Sequence, residues 1–440
     1  MTNNSSNKGQ DLYLKAKQLI PGGTQLFGKK PEMYLPDYWP AYYSKAKGCE
    51  IWDLDGKRYL DFTMVGIGTS ILGYADSDVN EAAINAINNG NLTTLNAPEE
   101  VQLAEKLIEI HPWADMARFA RSGGEIMSVA IRIARASSGR SKVAFCGYHG
   151  WHDWYLSANI SDKSNLDNHL MPDLGTKGVP SELSNLMLPF DYNNIESLEK
   201  IINNHGEDIG VIVMEPCRDN GPNPGFLENV RRIASKNNTI LIFDEITSGF
   251  RAATSGMHMI YKVFPDLCAF GKTISNGIPM AALIGKKEYM KSATSTFISS
   301  TYWTDRAGPS AANAFLEKHA KLNVGQRTME IGLRIQNEFK LAAENANLKI
   351  IISGIPPLTA FRLEVDCWPE VLTLYTQKML SRSILANDRC YANFAHSDKY
   401  IDEFFSAVNA VFCELKSAID DKSVKDELIG PVKIMGFKKA

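Results

Sequence analysis

The chain has 440 residues, 44% hydrophobic and 22% charged, with a formal net charge of −3. That length supports two domains with sizeable cores, and the near-balanced charge leaves no electrostatic footprint for nucleic acid or an anionic membrane surface. The longest apolar runs fall well short of the ~20 residues a membrane-spanning helix needs, the polar start MTNNSSNKGQ carries no secretory h-region, and seven scattered cysteines suit buried thiols in a reduced, cytoplasmic setting.

Residues 11–20 read as a short amphipathic helix stopped by Pro21-Gly22-Gly23. The next segment, up to residue 48, is rich in proline and aromatics and reads as an irregular, partly buried arm. Alternation around Asp55-Gly56 between Cys49 and Phe62 is a hairpin signal. Helical periodicity covers 78–90 and 99–110. A short strand at Arg118–Ala120 then leads through Arg121-Ser122-Gly123-Gly124-Glu125 into a helix with Ile126, Val129, Ala130, Ile133 and Ala134 on one face. A strand, a glycine turn and a helix start point free N–H groups and the positive end of the helix dipole at an anion. Most Ser-Gly-Gly triplets, however, are plain turns.

Lys142–Cys146 is a further strand, ending in Gly147-Tyr148-His149-Gly150-Trp151-His152. The i, i+3 histidines lack an accompanying carboxylate or cysteine cluster with ligand spacing, so no metal is expected. An aromatic ring at a strand end suits stacking on a flat cofactor, and packing at a domain seam is the plainer alternative. Residues 157–188 read as a long surface loop or lid. Gly210–Met214 is a buried strand ending at Glu215, and a helix follows from about 227 to 236.

Thr239–Phe243 is another buried strand, ended by Asp244 and Glu245. A second apolar run, Leu267–Phe270, delivers Gly271-Lys272. An acid at one strand end and a lysine past the next suit pyridoxal phosphate (PLP). The amine forms a Schiff base with the aldehyde, and the carboxylate keeps the pyridine nitrogen protonated. Each feature alone is common. Together, Ser122, Tyr148, Glu215, Asp244 and Lys272 all fall just past expected strand ends, where a doubly wound α/β sheet binds its ligands. Ala281–Gly285 is one more strand, followed by a hydroxyl-rich loop at 299–305 and a helix near Pro309. Beyond residue 325 the pattern changes to a long helix, strands near 348–353 and 359–365, and helices at about 369–384 and 399–419. The expected domains are an arm and hairpin at 1–75, a large domain at 76–324, and a C-terminal part at 325–440 that completes a smaller α+β domain with the N-terminal region.

The pieces GCEIWDLDGKRYLDF, RSGGEIMSVAIRIARASSGR, GYHGWHD, VIVMEP, LIFDEITSGFR and FGKTISNGIPMAALIG occur in this order. With them the chain resembles the class III PLP-dependent aminotransferases of fold type I, in the branch that includes glutamate-1-semialdehyde 2,1-aminomutase. The resemblance runs over roughly residues 11 to 415. It implies that Lys272 holds the cofactor and shuttles the proton, that Asp244 pairs with the ring nitrogen, and that Ser122, Gly123 and Gly124 cradle the phosphate. It further implies that Tyr148 stacks on the ring, with His149 and Glu215 beside it. Either Thr301 or Thr304 is implied to reach a phosphate in the neighbouring subunit of a homodimer. The implied reaction moves an amino group from a small-molecule donor to an oxo acceptor, the aminomutase being the intramolecular alternative. Two departures stand out. The family's usual Ser-Gly-Thr is Ser-Gly-Gly here, and the arm GGTQLFGKKPEM has lysines where an arginine is expected to hold the substrate carboxylate. A lysine is a point charge and not a planar fork, so glutamate semialdehyde is a doubtful substrate. Gln25, Lys29, Trp39 and Trp303 are the candidate substrate contacts, and the aromatics around Trp39 and Trp303 either wall a wide pocket or fill a dimer seam.

Overall fold

A computed structural model describes residues 7–217 and 221–437. The chain forms two compact units, one joining the N-terminal stretch to Asp76 with the C-terminal stretch from Arg327, the other running from Ser77 to Gln326.

The larger unit is built on a seven-stranded sheet. Its strands lie in the order Met116–Ala120, Ala281–Gly285, Leu267–Phe270, Ile240–Asp244, Ile209–Met214, Lys142–Cys146 and Met187–Pro189. Only Ala281–Gly285 runs antiparallel to both neighbours. The central strands are continuous apolar runs because both faces are covered: every residue of Ile209–Met214 and Ile240–Asp244 is buried. Phe145, Val213, Ile242 and Leu283 from the sheet pack with Ile126, Ala130 and Ile133 of the helix Gly123–Ser138. That helix starts at Ser122 with a capping box and ends at Gly139, which turns into the left-handed region at φ +68°.

The segment 157–188 is largely exposed loop and turn, as expected, with a few anchors: Ala158 and Leu166 are fully buried in the large core. The Asn159 side chain ties the stretch together, donating to the Leu174 carbonyl and accepting from the Leu166 N–H. His169 accepts from the Gly147 N–H at 3.1 Å, anchoring the segment beneath a strand end. Its sparse apolar residues have no regular period because they pack from short helices and turns. The edge strand Met187–Pro189 and the helix Ile195–His205 are additions to the expected elements; a three-residue strand ending in proline gives almost no periodic signal.

The smaller unit has a four-stranded sheet of Tyr43–Lys47, Glu50–Asp53, Arg58–Phe62 and Ile384–Ala386, and a three-stranded one of Ile350–Ser353, Leu358–Leu363 and Arg389–Tyr391. The hairpin turn is held by Asp53, whose carboxylate accepts from the Asp55 and Lys57 N–H groups, with Gly56 at φ +81°. Ile384–Ala386 pairs parallel with Arg58–Phe62, so the two ends of the chain share one sheet. Phe62, Phe339, Phe361, Phe404 and Phe412 form the centre of its core.

Candidate active site

Four neighbouring strands of the large sheet end in register: Cys146 lies opposite Met214, Met214 opposite Phe243, and Asp244 opposite Ala269. The residues just past those ends, Tyr148, Glu215, Asp244 and Lys272, are therefore delivered to one edge of the sheet. Ser122 follows the parallel strand Met116–Ala120, beyond the antiparallel Ala281–Gly285.

Alternation along the strand sends Asp244 and Glu245 to opposite faces. Asp244 is 3% exposed; its Oδ2 lies 2.8 Å from His149 Nδ1 and its Oδ1 accepts from the Ile246 N–H at 3.0 Å. Glu245 turns into the core instead. It accepts from the Met257 and His258 N–H groups, from the His258 ring at 2.6 Å and from Ser248. Burial alone would raise its pKa, but the His258 bonds and the two N–H groups outweigh it and hold the carboxyl below its usual value. The His258 Nε2 accepts from the Trp113 indole N–H at 2.8 Å, so the ring is fixed with its proton on Nδ1. Glu245, His258 and Cys268 come together in the core; hydrogen bonds already occupy the carboxylate and the ring.

Lys272 lies in the left-handed region at φ +42°, a conformation that stores strain in a non-glycine residue. Its Nζ donates to Thr247 Oγ1 at 2.8 Å. Ile246 lies between the two turns: a Cβ on Gly123 would meet Ile246 Cδ1 at 3.1 Å, and one on Gly271 would meet its Cγ2 at 3.2 Å. The glycines let the helix start and the lysine turn close on one apolar side chain. At the helix start the Glu125 carboxylate accepts from the Ser122 N–H and hydroxyl, while the first N–H groups of a helix have no partner within it.

Tyr148 donates its N–H to Glu215 Oε2 at 3.0 Å. Burial, and then Asp244 and Glu215, push its phenol pKa up. The close approach needs Gly147, which has φ +115° and whose added Cβ would lie 2.6 Å from the same carboxylate oxygen. Thr301 and Thr304 occupy a short 3₁₀ turn, Thr301–Thr304, with both side chains exposed; Thr304 Oγ1 donates to the Thr301 carbonyl. Arg121 pins this turn by donating to the Trp303 and Asp305 carbonyls and pairing with the Asp305 carboxylate. Trp303 packs on the large core. Gln25, Lys29 and Trp39 belong to the smaller unit. Gln25 and Lys29 are exposed, whereas Trp39 is buried and stacks on Tyr34 with ring centres 4.4 Å apart.

Residues 35–354 match the aminotransferase class-III family. The chain belongs to the class III aminotransferases. It is therefore a PLP-dependent enzyme that moves an amino group between an amino donor and an oxo acceptor. It is 30% identical to 3-aminobutyryl-CoA aminotransferase of Cloacimonas acidaminovorans, over 94% of this chain and 98% of that one. It is 38% identical to glutamate-1-semialdehyde 2,1-aminomutase of Desulfovibrio desulfuricans, over 64% of this chain and 66% of the other. Among solved structures, FumI of Sphingopyxis sp. MTA144 superposes with a TM-score of 0.85 at 22% identity, covering 94% of this chain and 98% of that one. An omega-transaminase from Sphaerobacter thermophilus gives 0.82 at 25% identity, covering 94% and 100%. The fold is PLP fold type I.

The residues present fit that cofactor. A lysine amine, a buried carboxylate and a glycine-lined helix start match an aldehyde, a pyridine nitrogen and a phosphate in turn. Thr247 and Ile246 were missed from sequence. Both lie within three residues of Asp244, and position past a strand end was the one available signal.

Proposed function

We propose that this aminotransferase works between two separate molecules, and that its amino donor carries the amine on the carbon beta to an acyl group. The match to a 3-aminobutyryl-CoA aminotransferase supports this reading: it runs end to end at 30% identity, against 27% for an aminomutase matched over a similar span. The lysines of the arm, in place of a carboxylate-binding arginine, agree with it.

Bound PLP supplies an aldehyde that condenses with amines and a ring that accepts the electrons left behind when a C–H proton departs. Lys272 would hold the cofactor through Nζ, and its amine, when free, would serve as the base that takes up and returns the proton of the donor carbon. Thr247, 2.8 Å from that amine, keeps it aimed. Asp244 holds the proton on the ring nitrogen, and His149 orients the carboxylate. Ser122, Gly123 and Gly124 bind the phosphate at the helix start, Tyr148 covers the ring, and Glu215 steadies Tyr148. An oxo acceptor then reverses these movements, so ping-pong kinetics follow. Either of the exposed Thr301 and Thr304 would reach the phosphate in the partner of a homodimer, and the free cysteines suit a cytoplasmic setting.

A mass-spectrometric screen of amines and oxo acceptors tests the reading. Turnover of 3-aminobutyryl-CoA or a similar β-amine, only when an oxo acceptor is added, is the expected result. Conversion of glutamate-1-semialdehyde alone, with no second oxo compound, would establish the intramolecular reaction instead.

A further inference from the structure

Position 124 sits at the helix start where the phosphate is read to bind, yet it offers a backbone N–H and no side chain. Its surroundings show what occupies the space. A Cβ built on Gly124 would lie 3.1 Å from His152 Nε2 and 3.3 Å from His152 Cδ2. The imidazole of a different loop therefore fills the volume that a side chain at 124 would take. The loop reaches there through Gly150, at φ +104°, whose own Cβ would come within 3.0 Å of the Gly124 Cα. A residue with a side chain at 150 would push His152 away from the turn.

The ring is held from its other nitrogen. His152 Nδ1 lies 2.5 Å from Ser128 Oγ, one helical turn along from Gly124. Ser128 also has the Gly124 carbonyl within 3.0 Å, and it accepts from the Trp154 indole N–H at 3.0 Å. Its single proton has two acceptors in reach. When it is given to His152 Nδ1, the neutral ring carries its own proton on Nε2, the nitrogen beside Gly124. Burial lowers the His152 pKa, against the opposing pull of Glu125 and Asp153. Nε2–H can donate in that tautomer and in the protonated ring; with the Ser128 proton on the Gly124 carbonyl the neutral ring would instead carry its proton on Nδ1, and a phosphate dianion beside Nε2 favours the donating forms.

We propose that His152, anchored by Ser128 and Trp154, is a phosphate donor of the cofactor site, supplying through Nε2–H the side-chain contact that Gly124 cannot. The inference rests on the PLP reading above and adds a residue to it. A hydrogen bond from a positioned N–H to a phosphate dianion belongs to the charge-assisted class, so its loss weakens binding about tenfold to a hundredfold.

The test compares PLP with pyridoxal, which has the same aldehyde and ring but no phosphate, in absorbance titrations of the full chain freed of cofactor. His152→Phe keeps the ring volume and removes the donor; it is expected to weaken PLP at least about tenfold and leave pyridoxal unchanged. His152→Gln, which restores an N–H, is expected to recover most of the loss, and the ³¹P resonance of bound PLP is expected to move in the phenylalanine variant alone. Should phenylalanine not be accommodated, His152→Leu is read the same way. Native PLP affinity in the donor-less variants, or an equal loss for PLP and pyridoxal, overturns the proposal. Failure of the unaltered chain to bind PLP through Lys272 is a separate result and refutes the underlying reading.

Discussion

Two adjacent acids illustrate how far a residue's meaning depends on the direction it faces. Asp244 faces the edge of the sheet where Lys272 and Tyr148 arrive, and Glu245 faces a core of His258, Trp113 and Cys268. In the proposed mechanism the first acts on chemistry, while the second is tied into the core. Asp244→Asn keeps the size and a hydrogen bond to His149 but removes the charge proposed to hold the ring-nitrogen proton. It is expected to lower kcat/KM about a hundredfold to a thousandfold, with thermal unfolding little changed. Glu245→Gln should do the reverse, lowering the melting temperature through a lost charge-assisted bond to His258. Steady-state kinetics and calorimetry on the two variants separate the roles. Sequence alone exposed Asp244 and Lys272, because each follows an apolar run that ends abruptly. It did not expose Thr247, Ile246 or His152, whose contacts arise only when separate turns close on one another.

At the scale of elements, the site is a set of strand ends made compatible by glycines and one arginine. Gly147→Ala places a Cβ 2.6 Å from the Glu215 carboxylate at a backbone angle of +115°. It is expected to cost about 1–3 kcal/mol, read as a lower urea midpoint, and to disturb Tyr148. Arg121 and Asp305 are nearly buried partners, with side chains 11% and 14% exposed. Arg121→Ala leaves an unpaired acid and frees the turn that carries Thr301 and Thr304. A loss of about 3 kcal/mol and faster proteolytic cutting near residues 301–305 are expected. The helix Gly123–Ser138 and the central strands were legible because period and capping agree. The stretch 157–188 was legible as a surface loop, but its buried anchors were not, because they pack from irregular turns that share no period.

Across the whole molecule, acid sensitivity is built into both units. Burial pushes His111 and His319 of the larger unit and His396 of the smaller one down to about 4. Unfolded histidines titrate near 6.5, so on acidification the unfolded chain takes up these protons first. The stabilisation is complete above about pH 6.5 and is lost as pH falls towards 4. Urea midpoints are expected to decline across that window, and a flat profile would remove these three rings from the account. The resemblance made the family legible before the structure did. The pairing of Ile384–Ala386 with Arg58–Phe62 has no local sequence signal, since it joins strands more than three hundred residues apart.

The most direct test of the central claim is chemical. The full chain is incubated with PLP, reduced with borohydride, digested and mapped by mass spectrometry. The account predicts one phosphopyridoxyl group, on Lys272, and none in Lys272→Ala; an unmodified Lys272, or an adduct on another lysine that survives in that variant, would contradict it.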